Sequence, residues 1–92
     1  MGKTGNSRWN GGTVHAGGLT AEQKAVKLLA AHIRKLRGER GLSQERLAEL
    51  AQMHRTYLGG IETARRNPSF KSLFRLARAL AVSLSQLFDT VR

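Results

Sequence analysis

The chain has 92 residues, of which 40% are hydrophobic and only 5% aromatic, which fits one small domain with a core of Leu, Ala, Ile and Val. Sixteen Lys and Arg against six acids give a net charge of +10; this excess opposes compaction and favours a polyanionic partner, with a solvated basic surface as the alternative. The absence of cysteine excludes disulfides and thiolate metal sites, and no apolar run approaches the roughly 20 residues of a membrane span.

Residues 1–19 hold most of the ten glycines and almost no aliphatic side chains. Such a stretch cannot bury enough surface to offset its ordering entropy, so a disordered Gly-rich arm is expected. Its charges, Lys3 and Arg8, are both positive. The arm either follows a nucleic-acid backbone or minor groove or is a leader without a role. It lacks the apolar centre of a signal peptide, so a cytoplasmic protein is expected. Residues 20–92 form the expected folded domain.

Thr20-Ala-Glu-Gln23 is a capping box and predicts a helix start. Val26, Leu29, Ala30, Ile33 and Leu36 follow at steps of three and four, which gives one buried face. Gly38 and Gly41 end this helix, with Gly41 as a left-handed stop. His32 sits at the edge of the stripe and reads as a boundary residue, because no second ligand is spaced to join it.

Ser43 predicts the N-cap of a second helix, over about 44–51, with Glu45 in its first turn. A turn at Gln52-Met53 leads to a third helix over about 55–63, with His54 at its N-cap. Leu47, Ala48 and Ala51 form one apolar stripe, and Leu58 and Ile61 form another. Met53 lies between them, where it can fill the angle of two crossing helices. Small Ala48 lets the helices approach. This is the pattern of a helix-turn-helix, whose second helix enters the DNA major groove. A buried elbow without a DNA role would share the stripes, but would not need polar Arg55 and Thr56 outside.

After the loop Ala64-Arg-Arg-Asn-Pro68, Ser69 caps a fourth helix bearing Leu73, Leu76, Ala77 and Leu80, with Phe70 and Phe74 on or beside that face. Ser83-Leu-Ser-Gln86 is a second capping box, and opens a short fifth helix with Leu84, Leu87 and Phe88. No strand pattern and no repeat is present.

Arg37, Gly41-Leu-Ser-Gln-Glu45, Leu47-Ala48, Tyr57-Leu58, Ile61-Glu62, Arg66-Asn-Pro-Ser69 and Leu76-Ala77 together resemble the lambda-repressor-like, or XRE-type, helix-turn-helix family. The resemblance covers about residues 25–88. The run His54 to Glu62 more narrowly resembles controller proteins of restriction–modification systems. The family implies an all-α, compact five-helix DNA-binding domain that acts as a homodimer. Where the family usually carries glycine in the turn, this chain has Gln52, which would cost roughly 1 kcal/mol if positive φ is needed there.

The resemblance and the helix positions together suggest a contact map. Arg55 and Thr56 head the recognition helix and can reach base edges. Arg55 can take guanine O6 and N7 together, for about 1–3 kcal/mol of discrimination, or else a phosphate. Gly59 and Gly60 cost about 1 kcal/mol each relative to Ala in a helix; Gly60 is expected to allow close approach to the groove. Gln44 is expected at a phosphate, as its family counterpart is, or bracing Arg55 across the turn. Tyr57 either lies along the backbone or completes the core. Thr63, Arg65, Arg66, Asn67, Ser69 and Lys71 are expected on the sugar-phosphate rail, where they set register rather than sequence, with Arg46 an outlying candidate. Arg37 and Glu62 match a family pair that links helix one to helix three, a structural pair rather than a catalytic one. Leu84, Leu87, Phe88 and Val91 are assigned to the dimer interface, unless they pack the monomer core.

His15, His32 and His54 have no metal-ligand spacing, the six acids are scattered, and no phosphate-binding glycine loop is present. Neither catalysis nor a cofactor is expected, and no metal. No ligand domain follows, so control by a small molecule is not expected. The expectation is a transcriptional regulator that binds a near-palindromic duplex as a homodimer. The alternatives are an antitoxin-type DNA-binding protein that neutralises a partner toxin, and a nonspecific nucleic-acid binder led by the arm.

Overall fold

The computed structural model describes residues 18–91, so nearly all of the expected arm lies outside the described residues. They form five helices and no strand: α1 (Ala21–Glu39), α2 (Gln44–Leu50), α3 (Arg55–Glu62), α4 (Phe70–Ala79) and α5 (Leu84–Leu87). No helix among them is long and apolar enough to cross a membrane.

Each helix starts at a side-chain cap. Thr20 and Ser83 make full capping boxes, in which Gln23 N–H donates to Thr20 Oγ1 at 3.0 Å and Gln86 N–H donates to Ser83 Oγ at 3.0 Å. Ser43 and Ser69 accept from Arg46 N–H and Ser72 N–H. His54 caps α3 less conventionally, with Nδ1 accepting from Thr56 N–H at 3.1 Å. Each cap satisfies an amide that the helix itself cannot, typically for about 1 kcal/mol.

The ends of α1 to α4 share one geometry. Gly41, Gln52, Ala64 and Ala81 take φ of 65°, 58°, 60° and 60°. Two amide bonds run back from each stop, such as Gln52 N–H to Glu49 O at 3.1 Å and Met53 N–H to Ala48 O at 2.9 Å. This is the Schellman closure. After three of the stops comes an apolar residue, Leu42, Met53 or Val82, packed on the core. After the fourth comes Arg65, which is exposed. The turn therefore does require positive φ at Gln52. It forms because the paired bonds and Met53's packing offset the side-chain penalty. Ala64 and Ala81 carry the same penalty without any sequence signal.

The core joins Leu29, Ile33 and Leu36 of α1, Leu47 and Ala48 of α2, Leu58 and Ile61 of α3, Leu76 and Ala77 of α4, and Leu87 of α5, with Ala51 and Leu80 at helix ends. α3 packs on α1 and α2, α4 on α2 and α5, and α1 also meets α5. Ala48 is buried in this cluster, and Met53 is half-buried against it. His32 is half-buried at the α1–α5 contact, where Nε2–H donates to Gln86 O at 3.0 Å. This fits its reading as a boundary residue.

Three expectations change. Val26 lies outside the core, half-buried one turn before the helix meets α3 and α5. Phe70 is 70% exposed and Phe74 45% exposed, because both project from the outer side of α4 while Leu76, Ala77 and Leu80 turn inward. Leu87 is fully buried in its own monomer and has no surface to offer a second copy. Leu84 and Val91 also pack on the core as partly buried residues, which leaves Phe88, 36% exposed, as the outward member of that set.

Candidate nucleic-acid interface

The α2–turn–α3 unit is held from behind by one carboxylate. Glu62, at the last turn of α3, is 1% exposed. Arg37 Nε donates to Glu62 Oε2 at 2.8 Å and Arg37 Nη2 donates to Oε1 at 3.1 Å, the bidentate fork of a guanidinium on a carboxylate. The remaining Arg37 Nη1 donates to Leu42 O at 3.0 Å, on the α1–α2 connection. Arg34, one turn earlier on α1, donates to the Glu62 carbonyl. An ion taken out of water must regain its lost hydration through such bonds, and here α1 supplies most of them.

Gln44 supplies another. Its Nε2 donates to Glu62 Oε1 at 2.9 Å, so the first residue of α2 turns inward to the end of α3. The expectation that Gln44 braces Arg55 is corrected: its Nε2–H donates to the buried Glu62 carboxylate, which turns the side chain inward, and no hydrogen bond joins it to Arg55 among the described residues. Arg55 instead lies loosely beside Glu45, with Nε 3.8 Å from Oε2 and both side chains more than half exposed. A contact of this kind holds little energy, so Arg55 is free to turn outward.

Arg55 and Thr56 occupy the first turn of α3, exposed to solvent, past the His54 cap. Thr63 is exposed at the other end, and its hydroxyl donates back to Gly59 O at 2.9 Å. Gly59 has ordinary space around it, since an added Cβ would lie 3.8 Å from Gln44 Oε1. Gly60 differs. A Cβ there would meet Arg66 Cγ at 2.6 Å, and Arg65 and Arg66 N–H both donate to Gly60 O. The bare backbone expected at Gly60 for close approach to the groove thus also serves a contact within the chain. The Arg66 side chain lies across it, and the missing side chain makes room for the chain's own loop.

Tyr57 is half-buried and packs on the core, as one of its two readings has it. Its ring also carries the Arg66 guanidinium 5.8 Å from its centroid. Ser72 Oγ donates to the Tyr57 hydroxyl at 3.3 Å, and Ser69 N–H does so at 3.4 Å. The Ser72 bond, more than any other neighbour, holds the phenol below its ordinary pKa. Tyr57 thus ties α3 to the start of α4, and with it the intervening loop. Arg65, Arg66, Asn67, Ser69 and Lys71 are all exposed along that loop and the first turn of α4. Arg46 is paired with Glu49 at 2.7 Å on the surface of α2.

The helix termini, the exposed Arg55 and Thr56, and the basic loop fall along the chain from Ser43 to Lys71, carried by the two crossing helices and the start of α4. Sequence reasoning missed Arg34, Ser72 and the inward role of Gln44. Arg34 had a signal, since it lies one helical turn from Arg37. Ser72 and Gln44 had none beyond their polarity.

A helix-turn-helix family profile (HTH_3) matches residues 33–87. The control protein C.SmaI of Serratia marcescens is 43% identical over 61 residues, covering 66% of this chain and 73% of its own. Among solved structures, the restriction–modification controller protein C.AhdI of Aeromonas hydrophila superposes with a TM-score of 0.68 at 38% identity, over 70% of this chain and 97% of that one. The controller protein C.Esp1396I, solved as a tetramer on its natural 35-base-pair operator, superposes with a TM-score of 0.66 at 37% identity, over 71% of this chain and 86% of that one.

Proposed function

Because this chain belongs to the HTH_3, XRE-type helix-turn-helix family, we propose that it is a sequence-specific transcriptional regulator that binds operator DNA as a homodimer, in the manner of restriction–modification controller proteins. The observation that carries this reading is the exposed first turn of α3, Arg55-Thr56, on a helix whose far end is locked by Glu62. A recognition helix must be rigid to hold a side chain against base edges, and must present that side chain unencumbered. Both conditions are met here.

In this reading Arg55 and Thr56 contact bases. Thr63, Arg65, Arg66, Asn67, Ser69 and Lys71 hold the sugar-phosphate backbone, and Gln44 contributes through its main-chain amide at the start of α2, where helix termini favour anions. Two copies would place two α3 helices about 34 Å apart, in successive major grooves. Phe88 of α5 is the apolar side chain of the expected dimer set that faces outward. The work is binding rather than catalysis, in the compartment that holds the DNA, which in a bacterial cell is the cytoplasm. The control proteins it resembles favour this reading over a toxin-neutralising partner protein.

The test is selection from random duplex DNA at about physiological salt, where phosphate contacts alone bind weakly. A two-fold-symmetric consensus is expected. Absence of enrichment would reject the reading.

A further inference from the structure

A groove of about 790 Å³ lies between the start of α1 and the loop after α3. It is lined by Lys27, Val26 and Glu22 from α1 and by Arg65, Arg66 and Asn67 from the loop. Arg65 and Arg66 of the loop therefore face Lys27 and a single carboxylate, Glu22, across an open channel. Lys27 is exposed and forms no ion pair among the described residues, whereas Lys35, on the same helix but outside the groove, has Glu39 at 3.9 Å.

We propose that this groove seats the DNA sugar-phosphate backbone, and that Lys27 is a backbone-contacting residue outside the helix-turn-helix. The proposal rests on the DNA-binding reading above and extends it to α1. Two observations select this occupant. The groove continues directly into Arg65–Asn67, the loop assigned to the backbone, so a strand held by that loop has a charged path onward along α1. The sign of the lining also fits a polyanion. It does not fit residues 1–17, which carry Lys3 and Arg8 and no acid. Glu22 is the opposing charge and weakens the grip.

A phosphate contact is independent of base sequence, so the probe is a mixed-sequence 40-base-pair duplex and the full chain. Affinity is measured against salt for the wild type, Lys27→Ala, Lys35→Ala and Glu22→Gln, with helical content checked for each. Each phosphate contact adds about 0.9 to the slope of log affinity against log salt. Lys27→Ala is expected to lower the slope by about that amount per protomer, which shrinks the affinity loss between about 50 and 200 mM salt by about three- to fourfold. Lys35→Ala should leave the slope near the wild-type value, and Glu22→Gln should tighten binding. Equal slopes for Lys27→Ala and the wild type would overturn the proposal, as would equal losses in the two lysine variants or looser binding by Glu22→Gln. A wild type that does not bind duplex DNA would instead reject the underlying reading.

Discussion

Tyr57 is the chain's single tyrosine, so its titration can be followed by phenolate absorbance without interference from another tyrosine. Ser72, donating to its oxygen, is the main cause of a pKa below the ordinary 10.0. Ser72→Ala should raise that pKa toward the ordinary value, and an unmoved titration would show that the bond does not form in solution. A group with a depressed folded pKa adds stability only above its unfolded pKa, so this bond adds no ionisation-linked stability near neutral pH. The left-handed stops give a second prediction at this scale. Ala64 and Ala81 hold φ of 60°, a conformation that glycine adopts more readily. Ala81→Gly should stabilise the domain by about 1 kcal/mol, seen as a melting temperature raised by several degrees. An unchanged or lower melting point would contradict it. Single residues were where the sequence was hardest to read. Gly41 announced its φ through its identity, whereas Ala64 and Ala81 look like any helical alanine. Gly60 was read as leaving room for a groove, and in the structure an added side chain there would meet Arg66. Sequence spacing cannot tell a loop returning across a helix from a ligand approaching it.

The helices themselves were readable because their signals agreed. Thr20, Ser43, Ser69 and Ser83 are N-caps in the structure as in the sequence, and the buried stripes Leu29-Ile33-Leu36 and Leu58-Ile61 recur at helical steps. Val26 has the same spacing as that stripe and still fell outside the core, because α1 begins before the elements that cover it. What periodicity could not supply was the way the elements lock together. Glu62 joins α1, α2 and α3 through Arg37 and Gln44, and only the pairing with Arg37 was foreseen, from the family pattern. Gln44 was read as facing a phosphate or Arg55, because a helix start normally opens to solvent and anions. Removing one partner of a buried pair costs about 3–5 kcal/mol, against a typical total of about 5–15 kcal/mol for a domain. Glu62→Ala should therefore lower the denaturation midpoint sharply or unfold the domain. Gln44→Ala, which removes one of several bonds, should cost about 1 kcal/mol. A Glu62→Ala variant that melts like the wild type would remove the hub from this account.

At the level of the whole molecule, a net charge of +10 draws the protein to any nucleic acid, and charge alone yields no preference for sequence. Specificity must come from the few side chains that α3 presents, with the basic loop setting the register. The five-helix fold, its order and its family were recognisable from the chain, because caps, stripes and loop all pointed to one architecture. The assembly was less so. Of the four residues assigned to the dimer contact, Leu87 is consumed by the monomer core, since an apolar residue at a helix face serves either purpose and composition does not distinguish them. The central claim is that the first turn of α3 reads bases. It is tested by running Arg55→Ala beside the wild type in the same selection from random duplexes, at about physiological salt. The account predicts a two-fold-symmetric consensus for the wild type, blurred in the variant at one position of each half-site, at a cost of about 1–3 kcal/mol. A variant that binds more weakly yet selects the same consensus would place Arg55 on the backbone and contradict the claim.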